Sequence, residues 1–252
     1  MIDAHIHLDQ YQDIDQQIQH WMNQGISHIV AVSTDLASSY KTLELKIRYP
    51  NYITAAIGFH PEQPLPIEHD ILEWQQLLKK EQNLISAIGE VGLPYYTIEK
   101  QADRIEEYID FLTRMVIVSK DRGLPLILHA VHEHAEIVLD LLKKNQITSA
   151  HFHWLKCKAP ILKMIIDEGY FVSVTPEVVY RERDQTLLSQ VPLSQLLLET
   201  DGPWSFNGPF KDRDTSPVFL NEMLPIIAEI KRETKETIIL ETSKNACKLF
   251  KI

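Results

Sequence analysis

A chain of 252 residues, 44% of them hydrophobic, can bury one sizeable core, and α/β barrels commonly use this length as a single domain. A net charge of −10 and a pI of about 5.5 exclude a general affinity for nucleic acid or anionic membrane, so a polyanionic substrate would need local positive charge from metal ions or clustered Lys and Arg. Cys157 and Cys247 are too few and too far apart for a disulfide framework. No apolar run approaches the ~18 residues that span a bilayer, and the chain opens on a strand with no basic and apolar leader. Together these features point to a soluble, cytoplasmic protein.

In chain order, short apolar runs alternate with longer amphipathic stretches. Residues 2–8 read as a strand, with Ile2, Ile6 and Leu8 interleaved with polar side chains. A helix over 13–24 is stopped by Gly25, and Ile29-Val30-Ala31-Val32 is a buried strand. A helix through Leu43 and Ile47 is broken by Pro50. Strand 52–57 ends at Gly58-Phe59-His60-Pro61. A helix over 71–80 precedes strand 84–88, which ends at Gly89-Glu90-Val91-Gly92. The clearest helical period is Ile105, Tyr108, Ile109, Leu112, Met115, Val116, within a helix predicted over 101–121. Strand 126–128 runs into His129, and Ala135, Val138, Leu139 and Leu142 mark the next helix. Strand 147–153, helix 161–168 and strand 170–174 follow, and Leu196-Leu197-Leu198 runs into Glu199-Thr200-Asp201. Ser216-Pro217 reads as an N-cap with Pro at the first helical position, opening a helix through Phe219 and Ile227. A last helix carries Ile239, Thr242, Ala246 and Leu249.

Some eight apolar strands, most followed by a helix, belong to a parallel sheet. Without a Gly-x-Gly-x-x-Gly fingerprint, that alternation favours a TIM-type (β/α)8 barrel, one α/β domain over 1–252, above a doubly wound sheet.

Chemistry-bearing residues sit at the carboxyl ends of these runs, where barrels carry their catalytic groups: His5 and His7, then His60, Glu90, His129, His153 and Asp201. On a strand, His5 and His7 project from one face and can grip one metal ion. Either alone would read as a hydrogen-bonded core histidine; the recurrence of His and carboxylate at equivalent positions is hard to obtain from packing. Even four of these five His with the two carboxylates exceed the usual three protein ligands of one catalytic ion, which points to two ions bridged by Glu90 and to hydrolysis. Mixed His and carboxylate donors suit Zn2+, Mn2+ or Mg2+.

The segments Asp3-Ala4-His5-Ile6-His7-Leu8, Gly58-Phe59-His60-Pro61, Gly89-Glu90-Val91-Gly92-Leu93, Leu128-His129, Phe152-His153 and Glu199-Thr200-Asp201 together resemble the TatD family of metal-dependent deoxyribonucleases, a branch of the amidohydrolase-like TIM barrels. The tail Glu241–Phe250 resembles that family's end. The resemblance implies one ion held by His5, His7, Glu90 and Asp201, a second held by Glu90, His129 and His153, and a phosphate contact from His60. The leading reading is a two-metal phosphodiesterase or nuclease in which Asp201 orients the attacking hydroxide and takes its proton.

The chain also departs from the family pattern. Pro94 stands where an Asp usually precedes Tyr95 and Tyr96, Trp154-Leu155-Lys156-Cys157 replaces a Cys-Phe-Ser-Gly run, and His151 is an added histidine, expected to be hydrogen-bonded in the barrel's inner layer. These changes fall in substrate loops and leave the six expected ligands intact. Candidate phosphate-holding cations are Lys156, Lys158, Arg181, Arg183, Lys211 and Arg213, although acidic residues are interspersed. The acidic charge and the rim aromatics Tyr95, Tyr96, Trp154 and Trp204 favour short or single-stranded DNA ends as substrate, with no stable nucleic-acid complex and no membrane partner. The alternative is a metal-dependent amide, lactone or ester hydrolase; Glu90, in place of the lysine that often bridges metals in such barrels, argues against it.

Overall fold

The structure, a computed structural model, describes residues 1–97 and 104–252. Among the described residues, eight strands pair side by side in chain order, every neighbouring pair parallel. They are β1 (Ile2–Ile6), β2 (His28–Val32), β3 (Ile53–Ile57), β4 (Ile85–Gly92), β5 (Leu126–His129), β6 (Ala150–His153), β7 (Phe171–Val174) and β8 (Leu196–Leu198). Helices α1 (Ile14–Asn23), α2 (Leu36–Arg48), α3 (Glu68–Lys80), α4 (Ile105–Arg122), α5 (His134–Lys144), α6 (Ala159–Asp167), α7 (Glu182–Gln190) and α8 (Phe219–Lys231) follow the strands in turn, and α9 (Lys235–Phe250) ends the chain. This is the expected TIM-type (β/α)8 barrel, a single domain.

The seam between β8 and β1 is closed mainly beyond the end of β8. The Asp201 N–H donates to the His5 carbonyl at 3.0 Å, and the His7 N–H donates to the Gly202 carbonyl at 2.8 Å. The Asp3 carboxylate, fully buried, accepts the Thr200 N–H at 3.1 Å and also the Thr200 hydroxyl. Burial lifts the Asp3 carboxyl to about 7 against these hydrogen bonds.

Alternation along the strands splits the apolar residues between two cores. Ile29 and Ala31 join the larger one, between strands and helices, whereas Val30 and Val32 join a smaller one with Ala56, Ala87 and Leu197. Ala246, Leu249 and Phe250 of α9 pack into the smaller core. The Asn245 side-chain amide donates to the carbonyls of Leu193 and Leu196, both at 2.8 Å, fixing α9 at the amino end of β8. That end of the barrel is therefore plugged, and the carboxyl end is left for chemistry.

Sequence expectations shift at two helices. α7 was not anticipated: Glu182–Gln190 has Leu187 and Leu188 as its only large apolar side chains, and they are adjacent, so no 3.6-residue stripe is visible. Helix α8 starts at Phe219, with Val218 as its N-cap, so Ser216 is not the cap. Instead the Ser216 and Pro217 carbonyls accept the N–H groups of Phe219 at 2.9 Å and Leu220 at 3.1 Å in a lead-in turn. Residues 101–103 of the predicted 101–121 helix lie outside the described residues.

Candidate active site

The strand ends converge as the barrel geometry requires. His5 and His7, two residues apart, place their ring centroids 5.2 Å from each other, and His5 stacks on His153 at 4.0 Å. His129 and His153 pair across the β5–β6 register, with centroids 5.5 Å apart. Glu90 reaches the centre from β4, flanked by glycines. A side chain on Gly92 would put its Cβ 2.0 Å from the His129 carbonyl oxygen, so this strand lies against β5 only because that position is bare.

Glu90, fully buried, divides the histidines into two sets. Its Oε2 lies 3.1 Å from His5 Nε2 and 3.3 Å from His7 Nε2. Its Oε1 lies 2.8 Å from His153 Nε2 and 2.9 Å from His129 Nδ1. Asp201 Oδ1 adds to the first set, 3.4 Å from both His5 Nε2 and His7 Nε2. Asp201 has φ of +50°, the left-handed region that Asp enters more readily than most residues, and its N–H bond to His5 and carbonyl bond to Trp204 N–H pin it there.

His60 sits apart in role. Its Nδ1 accepts the Glu62 N–H at 3.1 Å, so in the neutral ring Nε2 carries the proton. That Nε2 points to Glu90 Oε1 at 3.4 Å as a donor, not as a lone pair. Although His60, Glu90 and His129 also bring ligand atoms within 4.8 Å of one another, this tautomer suits an anion better than a cation.

The electrostatics ask for positive charge. Burial pushes the Glu90 and Asp201 carboxyls up, but the surrounding imidazoles, His153 foremost for Glu90 and His5 for Asp201, hold both well below the usual carboxylate range. Burial likewise opposes charge on His7, yet Asp201 and Glu90 lift it to about 10; His129 and His153 are lifted too. His60 is instead lowered to about 4 by burial. The carboxylates thus draw protons onto rings that could be neutral ligands. Among the described residues, His5 Nε2, Glu90 Oε2 and Asp201 Oδ1 are buried side by side without hydrogen-bond partners. Orphaned donor-set atoms of this chemistry fit a divalent cation, which would supply the missing charge and leave the imidazoles neutral.

A second layer holds these groups. Glu199, fully buried, lies 3.5 Å from His153 Nδ1, accepts the Trp154 N–H at 2.7 Å, and stands 3.6 Å from His151 Nε2. His151 bonds Ser173 Oγ at 2.7 Å inside the barrel, and burial, then the neighbouring His5, hold its pKa well down. Glu62 faces His129 Nε2 at 3.3 Å. Neither Glu62 nor Glu199 was assigned a role from sequence. The available signal was position: Glu62 stands two residues past His60, and Glu199 two before Asp201.

A cleft of about 530 Å3 opens beside His7, His60 and Asp201, bounded by Gln10 and Trp204. Among the described residues it is lined by no Lys or Arg. The candidate cations are mostly engaged elsewhere: Arg181 and Arg183 reach Glu177 at 3.1 and 2.7 Å, and Arg213 reaches Glu222 at 2.7 Å. Lys156 lies 3.9 Å over the Trp154 ring and donates to the Tyr96 hydroxyl at 2.9 Å. Trp204 and Tyr96 are 60% and 56% exposed and keep open ring surface, whereas Tyr95 packs on His132 with centroids 4.4 Å apart.

The profile of the TatD-related DNase family matches residues 2–251. An uncharacterized metal-dependent hydrolase of Haemophilus influenzae is 37% identical over 252 residues, covering 97% of this chain and 98% of its own. The human deoxyribonuclease TATDN3 is 27% identical over 261 residues, covering 99% of this chain and 94% of its own. Among solved structures, the Escherichia coli TatD homologue YJJV superposes with a TM-score of 0.91 at 22% identity, covering 100% of this chain and 98% of that one, a likeness of fold.

Proposed function

Because the chain belongs to the TatD-related DNase family and is a metal-dependent hydrolase, we propose that it is a two-metal phosphodiesterase, a deoxyribonuclease acting on short or single-stranded DNA ends. The observation that carries the two-metal part is the division of Glu90, with one oxygen against His5 and His7 and the other against His129 and His153. On this reading His5, His7, Glu90 and Asp201 hold one ion, Glu90, His129 and His153 the other, and the whole of 1–252 is one hydrolase barrel. Two divalent ions, Zn2+, Mn2+ or Mg2+, supply Lewis-acid stabilisation of phosphoryl charge and acidify water toward a pKa of about 7.

The chain's own residues then have separable tasks. Asp201, whose buried Oδ1 has no hydrogen-bond partner among the described residues, orients the attacking water and accepts its proton. Glu90 keeps both ligand sets in register. His60 donates its Nε2–H to a phosphate oxygen, a charge-assisted hydrogen bond from a neutral ring. Trp204 and Tyr96 offer stacking faces for an unpaired base. The absence of Lys and Arg from the cleft lining supports a substrate gripped at one phosphate rather than along a duplex. A cytoplasmic location fits the free cysteines Cys157 and Cys247; among the described residues no helix is long and apolar enough to cross a membrane.

The test is hydrolysis by metal-loaded protein of bis(p-nitrophenyl) phosphate, a short single-stranded oligonucleotide, a lactone and an amide. Turnover of the two phosphodiesters is expected. Turnover confined to the lactone or amide refutes the phosphodiesterase.

A further inference from the structure

We infer that Glu62 is a positioning residue that ties the candidate ligand His129 to the loop after β4, so that metal retention and the substrate rim depend on one carboxylate. The inference rests on the reading that His129 holds a metal. Glu62 projects from the loop after β3 and is not among the groups that reading uses. Its Oε1 lies 3.3 Å from His129 Nε2 and accepts the N–H groups of Tyr95 at 2.6 Å and Tyr96 at 2.9 Å. Its Oε2 accepts the Thr97 N–H at 2.8 Å and the Thr97 hydroxyl at 2.7 Å. Three successive backbone amides therefore converge on one side chain, a nest built for an anion.

His129 turns its other nitrogen, Nδ1, to Glu90 Oε1 at 2.9 Å. A ring that coordinates through Nδ1 must carry its proton on Nε2, where Glu62 accepts it. A carboxylate behind a metal-ligating imidazole fixes the tautomer and ring plane and raises ligand basicity. Glu199 stands in the same relation to His153, at 3.5 Å from its Nδ1. Only Glu62, however, also gathers a loop, and that loop places Tyr96 with its ring 6.2 Å from the His129 ring.

Charge and acceptor capacity are both required. Glu62 faces donors on both oxygens, so an amide in its place must turn its NH2 against backbone N–H groups whichever way it flips. The experiment compares wild type, Glu62→Gln, His129→Ala and the double variant. Two quantities are measured: Zn2+ bound per chain at buffered free Zn2+, and kcat and KM for bis(p-nitrophenyl) phosphate.

In Glu62→Gln, the Zn2+ site that includes His129 is expected to lose roughly 10- to 100-fold in affinity, and KM is expected to rise as the rim loosens. In the His129→Ala background the same change should no longer alter Zn2+ binding, because the linked ligand is gone. A merely structural role would give equal losses in both backgrounds. Unchanged Zn2+ affinity in Glu62→Gln, or the same loss with and without His129, overturns the inference. Should Glu62→Gln fail to fold, Glu62→Asp, which keeps the charge but shortens the reach, is read by the same criteria. If wild type takes up neither Zn2+ nor, in the same titration, Mn2+ or Mg2+, the functional reading fails at that arm and this inference falls with it.

Discussion

Replacing Glu90 by Gln preserves shape and removes one buried charge. Four imidazole nitrogens lie 2.8–3.3 Å from the Glu90 oxygens, two on each. An amide has one oxygen, so one ligand set must face an NH2 group in either orientation. Removing one member of a buried charge pair typically costs about 3–5 kcal/mol. If that loss falls on metal binding, it corresponds to roughly two to three and a half orders of magnitude in affinity, at about 1.4 kcal/mol per decade. Any single histidine serves only one set and is neutral as a ligand, so His5→Ala or His153→Ala should cost less. The assay is equilibrium dialysis against buffered Zn2+ with elemental analysis, run beside turnover of bis(p-nitrophenyl) phosphate. Glu90→Gln is expected to bind fewer than two ions per chain under conditions that saturate wild type, and to lose more turnover than any histidine variant. If it retains two ions and full turnover, Glu90 is not the bridge and the argument from its two oxygens is wrong.

His60→Ala should keep the metal content of wild type and lower kcat/KM by about 10- to 100-fold, the value of a hydrogen bond to an anion of roughly 1.5–3 kcal/mol; loss of an ion would put His60 among the ligands. His28, bonded to Thr54 Oγ1 at 2.7 Å, is held down to about 4 by burial and then by Lys46, below its unfolded value of about 6.5. The unfolded chain binds that proton first, so the contribution is complete above pH 6.5 and is lost as pH falls toward 4. Denaturant titrations from pH 7.5 to 4 should show His28→Gln losing about 2 kcal/mol less than wild type, allowing for partial exposure, and parallel profiles would remove the claim. Finally, in a competition at about 150 mM salt, a short single strand should be cut ahead of a long duplex; cleavage within the duplex interior would mean that the acidic surface is no guide.

Most of the barrel could be read from the chain because most buried strands are short apolar runs closed by a glycine or a polar residue, as at Val32-Ser33 and Ile57-Gly58. The residues that meet at Glu90 were legible for a related reason: strand ends in a closed parallel barrel share one rim, so position along the chain stands in for position in space. What failed was local chemistry without periodicity. Helix α7 is held by Leu187 and Leu188 against its neighbours, and neither is spaced to announce a helix. Glu62 and Glu199 carry no role legible in the sequence because their partners, His129 and the amides of Tyr95 to Thr97 for one and the Trp154 N–H for the other, are distant in sequence. The candidate cations misled in the opposite sense: Arg181 and Arg183 serve Glu177 and leave the cleft uncharged by any Lys or Arg among the described residues.

The seam of the barrel has a consequence for timing. His5 belongs to the first strand and Asp201 follows the eighth, and the main-chain bond between them is part of the closure itself. During synthesis, the residues between them take about 10–40 s to emerge at typical elongation rates of roughly 5–20 residues per second. Through that interval the nascent chain carries His5 and His7 without the carboxylate that completes their set. On the proposed assignment, the His5 and His7 set is therefore completed only when the barrel closes, and a truncated product that lacks the eighth strand also lacks Asp201.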